Sequence, residues 1–232
     1  MYQVIKKVFA ASAFLSLLAV VPAQAATFVV TDGGAATFAA SQTTNPGDKL
    51  VTFNDFPTGV PAGISVSGSG DAFIVSDSES GQFAEPFGSD GSDYLAVLTG
   101  GTATILDTTN TGYTGLSFYL GSIDTYNTFE LLDNVGAVIA SYSGSAFLGG
   151  PSGDQGLPTT NRLVSFTRGA TDPLFGGIRF SSSQNSAEVD NVRFNSPVPE
   201  PTTWAMMLVG FGLLGASMRR RKQSVHGRVR FA

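Results

Sequence analysis

The 232-residue chain contains no cysteine. It can form no disulfide and present no thiolate, as nucleophile or as metal ligand. Histidine is almost as scarce. The only one, His226, falls in the basic stretch at the C-terminal end, so the preceding body offers no Ser-His-Asp triad and no His-rich zinc site. Cations are few where acids are many. All 18 acidic residues lie between Asp32 and Glu200, and that stretch holds only five cations: Lys49, Arg162, Arg168, Arg179 and Arg193. Its net charge of −13 repels phosphate polymers and anionic lipid, which excludes nucleic acid as a partner. The same charge draws cations such as Ca²⁺ wherever carboxylates converge. Helical periodicity is also missing, since no convincing 3.6-residue pattern runs through 26–195.

Phenylalanine and glycine are plentiful, at 18 and 28 residues. A disordered chain is poor in large aromatics, so the phenylalanines argue for a packed core. Short β-type segments recur between Gly, Ser, Asn, Asp and Pro clusters. They are 27–30, 50–53, 64–66, 73–75, 94–98 and 102–106, then 116–120, 128–132, 137–142, 163–167, 177–180 and 187–194. Leu116, Phe118 and Leu120 share one strand face, and Asp133-Asn134-Val135-Gly136 reads as a hairpin turn. A dozen such segments predict an all-β fold, an antiparallel jelly-roll-like β-sandwich over 26–195. About 170 residues can support it without disulfides, because a domain of that size buries about 70% of its unfolded surface.

The two ends have a different chemistry. Lys6-Lys7, the apolar run Val8–Val21, Pro22 and Ala23-Gln24-Ala25 describe a signal peptide over 1–25, cleaved before Ala26. That predicts export through the Sec machinery. Residues 196–203 form a proline-rich linker, residues 204–218 carry no charge, and a basic tail follows over 219–232. As a helix, the uncharged stretch spans about 22 Å against a hydrocarbon layer of about 30 Å. It is therefore a marginal transmembrane helix. Trp204 stands where an interfacial aromatic belongs and Arg219, Arg220 and Arg221 stand where cytoplasmic charge belongs.

Pro199-Glu200-Pro201-Thr202-Thr203-Trp204-Ala205, then Gly210-Phe211-Gly212 and the arginine run, resemble the PEP-CTERM sorting signal in its PEP-x-x-W-A variant. The resemblance covers about 25 residues. It implies a precursor held transiently in the inner membrane of a Gram-negative bacterium. An exosortase, a membrane cysteine protease, would cut near Pro199-Glu200-Pro201 and release or transfer the body. The segment Phe118-Tyr119-Leu120-Gly121-Ser122-Ile123-Asp124-Thr125-Tyr126-Asn127-Thr128 is similar to an F-Y-W-G-S-x-D-x-Y-N-T pattern of exosortase-dependent surface proteins, with Leu120 in place of Trp. This implies a cell-surface protein and no particular activity.

Chemistry in the body is sparse, and no catalytic residue can be nominated. In the last strand, Val192 and Phe194 share a face and Val189 is one residue out of phase. A bulge at Asp190-Asn191 restores the register, and bulges re-aim side chains beside sites. The D-N-V ending also resembles the last strand of jelly-roll carbohydrate-binding modules, where a carboxylate helps hold a structural Ca²⁺. Asp190, Asn191 and Asp55 are then the candidate ligands. Two readings stand, a Ca²⁺ site or a bulge whose polar groups pair with backbone. The other loop acids lack an EF-hand spacing. Tyr113, Tyr119 and Tyr126 are either sugar-stacking platforms or half-buried sheet residues. The Thr-rich segments 102–104 and 108–111 lack the regular repeat that ordering ice requires. The expected function is a structural or adhesive protein of the cell surface or an exopolysaccharide matrix. The alternatives are a Ca²⁺-dependent carbohydrate-binding module and, behind it, a polysaccharide-cleaving enzyme using two carboxylates.

Overall fold

A computed structural model describes residues 26–147, 153–197 and 201–221. Among the described residues twelve strands appear, one for each β-type segment of the sequence. They are β1 (Thr27–Asp32), β2 (Lys49–Val51), β3 (Ile64–Ser69), β4 (Ala72–Val75), β5 (Tyr94–Val97) and β6 (Thr102–Asp107). The second half holds β7 (Gly115–Gly121), β8 (Asn127–Asp133), β9 (Val138–Ser143), β10 (Arg162–Thr167), β11 (Phe175–Ser182) and β12 (Ala187–Asn195). The predicted turn between β8 and β9 is present. Asp133 Oδ1 accepts from the Val135 and Ala137 amides, and Gly136 takes the left-handed φ of 84° that closes it.

The strands form two antiparallel sheets. One runs β1-β10-β7-β12-β5-β4, with β2 also pairing β12, and the other runs β3-β6-β11-β8-β9. From β5 onward the chain crosses between the sheets at every step except β8 to β9. The resulting orders, β10-β7-β12-β5 facing β6-β11-β8-β9, are those of a jelly roll. The first four strands widen it at its edges. One side-chain set from each inner face fills the space between the sheets, and phenylalanine dominates it. Phe118 meets Phe180 edge-on at 5.3 Å and stacks on Phe129 at 5.8 Å. Phe28, Tyr142, Phe147 and Phe166 continue this aromatic column toward one end.

One α-helix was not expected. Residues Ala35–Ser41 form a seven-residue helix, α1, which contacts β7 and β10. Seven residues give only two turns, too few for a periodic pattern to register. The helix holds its place through Phe38, set edge-on to Tyr119 at 5.1 Å. The C-terminal helix α2 spans Pro201–Arg221, three residues beyond the uncharged stretch at either end. Its apolar side chains from Met206 to Met218 are exposed all round. Among the described residues no helix is long and apolar enough to cross a membrane. The physical reason is visible in α2, where threonine and arginine occupy the added turns and leave the greasy part short. The predicted leader, with Ala23 and Ala25, lies outside the described residues, as do Pro199 and Glu200. Ala26, immediately before β1, is half-buried.

Candidate functional site

Both buried acids of the seven-stranded sheet, Glu188 and Asp190, lie on β12 beside Asn191. The predicted bulge is present. Asp190 pairs with Tyr119 and Arg193 with Ser117, so three steps on β12 match two on β7. Asn191 absorbs the extra residue at φ 51°, a conformation asparagine tolerates better than most residues. Val189 and Val192 thereby both enter the core. Glu188 and Asp190 point the other way, beneath α1 and the loop 84–93.

Asp190 is buried. Its carboxylate accepts from the Asn191 amide at 2.6 Å and from Ser92 Oγ at 3.3 Å. Burial, with smaller repulsion from Asp90 and Asp93, pushes its pKa up to about 8. The surrounding groups close a ring. The Ser92 amide donates to Asp90 Oδ1, Gln42 Nε2 donates to Asp90 Oδ2, and the adjacent Ser41 Oγ accepts from Asn191 Nδ2 at 2.8 Å. Asn191 Oδ1 is buried without a partner. Asp55, the third residue named from the sequence, is exposed in the turn after β2. Its neighbour Asn54 joins the network instead, accepting from the Asp93 amide at 3.0 Å. Among the described residues no three acidic side chains converge as metal ligands would.

Glu188, two residues upstream, is the feature that sequence reading missed. Ala84 N and Ser186 Oγ donate to its Oε1, and Ser122 Oγ donates to Oε2 at 2.6 Å. Burial raises its pKa, against the pull of these donors. Ser122 belongs to the segment that resembles the surface-protein pattern, and the rest of that segment converges here too. Asn127 Oδ1 accepts from the Asp124 amide, while its Nδ2 donates to Ser182 Oγ and to the Ser186 carbonyl. The Tyr126 hydroxyl meets Asp124 and the Asn185 carbonyl. Asp124 and Glu188 thus line one small polar cleft of about 120 Å³. Both Glu188 oxygens are engaged by the scaffold, whereas Asp124 is held through Oδ2 alone. The spacing G-S-x-D-x-Y-N was the signal: it is a β7–β8 connection that ties itself to β12.

Tyr113 and Tyr119 are buried, which removes them as sugar platforms. Tyr119 donates to the Phe87 carbonyl and accepts from Gly34 N. The Thr-rich segment 108–111 wraps Asp107, whose carboxylate accepts from the Thr109, Thr111 and Gly112 amides.

In the tail, Pro201 and Trp204 fall within the first turn of α2, and Arg219 to Arg221 form its last turn. No curated protein matches the chain. Among solved structures, a mutant of a family 29 carbohydrate-binding module, studied for ligand recognition, is similar over 66% of this chain and 98% of its own. That similarity is at 13% identity and a TM-score of 0.35, which carries no argument about ligands. Residues 197–222 match the family model of the PEP-CTERM protein-sorting motif. The chain is therefore a jelly-roll body followed at once by a PEP-CTERM sorting motif.

Proposed function

We propose that this is an exported protein whose precursor is held at the inner membrane by α2 and processed by an exosortase. Its body then serves a structural or adhesive role at the cell surface or in an extracellular polysaccharide matrix. The observation that carries this reading is the position of the sorting motif. It begins at residue 197, two residues after β12 ends at Asn195. A cut near Pro199-Glu200-Pro201 would leave the fold intact. The role is non-enzymatic, in keeping with the engaged Glu188 and the absence of histidine and cysteine from the body. Mass spectrometry of the mature protein from its native host tests the reading. The expected chain starts at Ala26 and ends at or before Pro201. A full-length, uncut polypeptide in the cytosol would overturn it.

A second reading, a Ca²⁺-dependent carbohydrate-binding module, is favoured by one observation. The buried Asp190 lies beside Asn191, whose Oδ1 has no partner, with Asp90 and Asp93 close by. Ca²⁺ takes six to eight oxygens, so backbone and water oxygens would have to complete the set. Millimolar CaCl₂ should then raise the melting temperature of the wild-type chain but not of Asp190→Asn. An unchanged melting temperature removes the ion and leaves the sorted scaffold.

A further inference from the structure

Beyond α1, the outer face of the seven-stranded sheet opens into a cleft of about 570 Å³. Strand register builds its floor. Ser165, Ser117 and Arg193 lie side by side across β10, β7 and β12, and Thr167, Gly115 and Asn195 form the next row. The stretch 168–170 and residues 45 and 48 form its rims. Among the described residues only four buried side-chain polar atoms lack a hydrogen-bond partner; two belong to residues that line the cleft, Arg168 Nε and Arg193 Nε, and a third, Ser117 Oγ, is on the strand between Ser165 and Arg193. Ser117 is 1% exposed. All three can donate. Leaving a buried donor unpaired costs about 1–3 kcal/mol, and more for a charged group, so the cleft is short of acceptors.

The charges agree. Of the five cations between Asp32 and Glu200, Arg162 pairs with Asp32 at 3.2 Å and Arg179 with Glu130 at 2.9 Å. Lys49 donates to the Ala62 carbonyl. Arg168 and Arg193 have no carboxylate partner among the described residues, and each reaches only a backbone carbonyl, of Ala170 and Thr43 respectively. Both line the cleft. The one acid lining it, Asp48, is already engaged. It accepts from the Ser196 amide at 2.9 Å, the Asn45 amide at 3.0 Å and Asn195 Nδ2 at 3.3 Å.

We propose that this cleft binds an anionic saccharide, a glycan unit bearing a carboxylate or sulfate. The anion would take the guanidinium donors, whose planar fork suits such oxygens. Neighbouring hydroxyls and amides of Ser165, Thr114, Thr167 and Asn195 suit sugar hydroxyls. A strongly acidic body disfavours densely charged polyphosphates, whereas an acidic glycan spaces its charges with neutral rings. The choice of a saccharide rests on the matrix reading above; the choice of an anion stands on the donors alone.

The test is calorimetric titration of the purified full-length chain in detergent. The probes are hexagalacturonate, its fully methyl-esterified form, a chondroitin 4-sulfate hexasaccharide and a single-stranded oligonucleotide. The free acid or the sulfate should bind, and the ester should bind at least about tenfold more weakly, as loss of a charge-assisted contact implies. Arg168→Gln and Arg193→Gln should each weaken anion binding by at least about tenfold while still melting cooperatively. If Arg193→Gln fails to fold, Arg168→Gln carries the comparison. Equal affinity for acid and ester, arginine variants that bind like wild type, or no binding of either anionic glycan would overturn the proposal. Tighter binding of the oligonucleotide would overturn its saccharide part. In none of these cases does the processing of the termini change, so the cleft can fail while the sorted-protein reading stands.

Discussion

Asp190 makes the fold pH-sensitive in an unusual direction. Its carboxyl has a pKa near 8 when folded against an ordinary 3.8. The folded state therefore binds the proton more tightly than the unfolded one. Its contribution to stability is full below about pH 4 and drains away as pH rises toward 8. Each unit of difference corresponds to about 1.4 kcal/mol, and a chain of this size shifts its melting temperature by roughly 2–4 °C per kcal/mol. Asp190→Asn, which cannot ionise, should melt roughly 5 °C or more above wild type at pH 9 and near wild type at pH 4. A variant less stable than wild type at pH 9 would mean that the ionised carboxylate has a cationic partner. At this scale the sequence was only partly legible. The D-N-V spacing pointed to Asp190 and Asn191, because a phase slip between apolar residues is visible in one dimension. Glu188 was not legible, since its donors Ala84, Ser122 and Ser186 come from three loops far apart in the chain. Asn161 was equally hidden, although it accepts from both Phe87 N and Ser122 N.

Among the elements, β12 does the most. Its first half pairs with β5 and its second half with β2, and it exchanges one for the other at the bulge while keeping β7 throughout. Removing the extra residue would turn Val192 and Phe194, both fully buried, to the opposite face. Deletion of Asn191 should therefore abolish the cooperative melting transition, read by near-ultraviolet circular dichroism. Retention of a sharp transition would show that the register is set elsewhere. All twelve strands were legible because alternation and turn residues are local signals. The helix α1 was not, because its two turns depend on Phe38 finding Tyr119, a contact between residues 81 positions apart. Strand number pointed only to a sandwich or barrel; the jelly roll was expected because it lets both ends of the body leave from one edge region. Its confirmation needed the pairings, which no local pattern encodes.

For the whole molecule, the division between an acidic body and an apolar, cation-ended helix decides behaviour in solution. Among the described residues, the exposed side chains of α2 from Met206 to Met218 meet no partner surface, as expected of a helix that is apolar all round. The full chain should associate in detergent-free buffer, whereas a chain ending at Pro197 should run as a single monodisperse species in size-exclusion chromatography. Aggregation of the truncated chain to the same extent would place the association in the body instead. The large negative charge on the body favours this solubility. It also makes the cleft lined by Arg168 and Arg193 stand out, a contrast that only strand register located.

The tether leaves the body from β12, a strand flanked on both sides, and not from a sheet margin such as β1. Pulling on it draws the strand lengthwise, so its rungs to β7 and β2 share the load together instead of parting one after another. An attachment through that end would load two ladders at once, to β7 and to β2, whereas β1 is held by β10 alone.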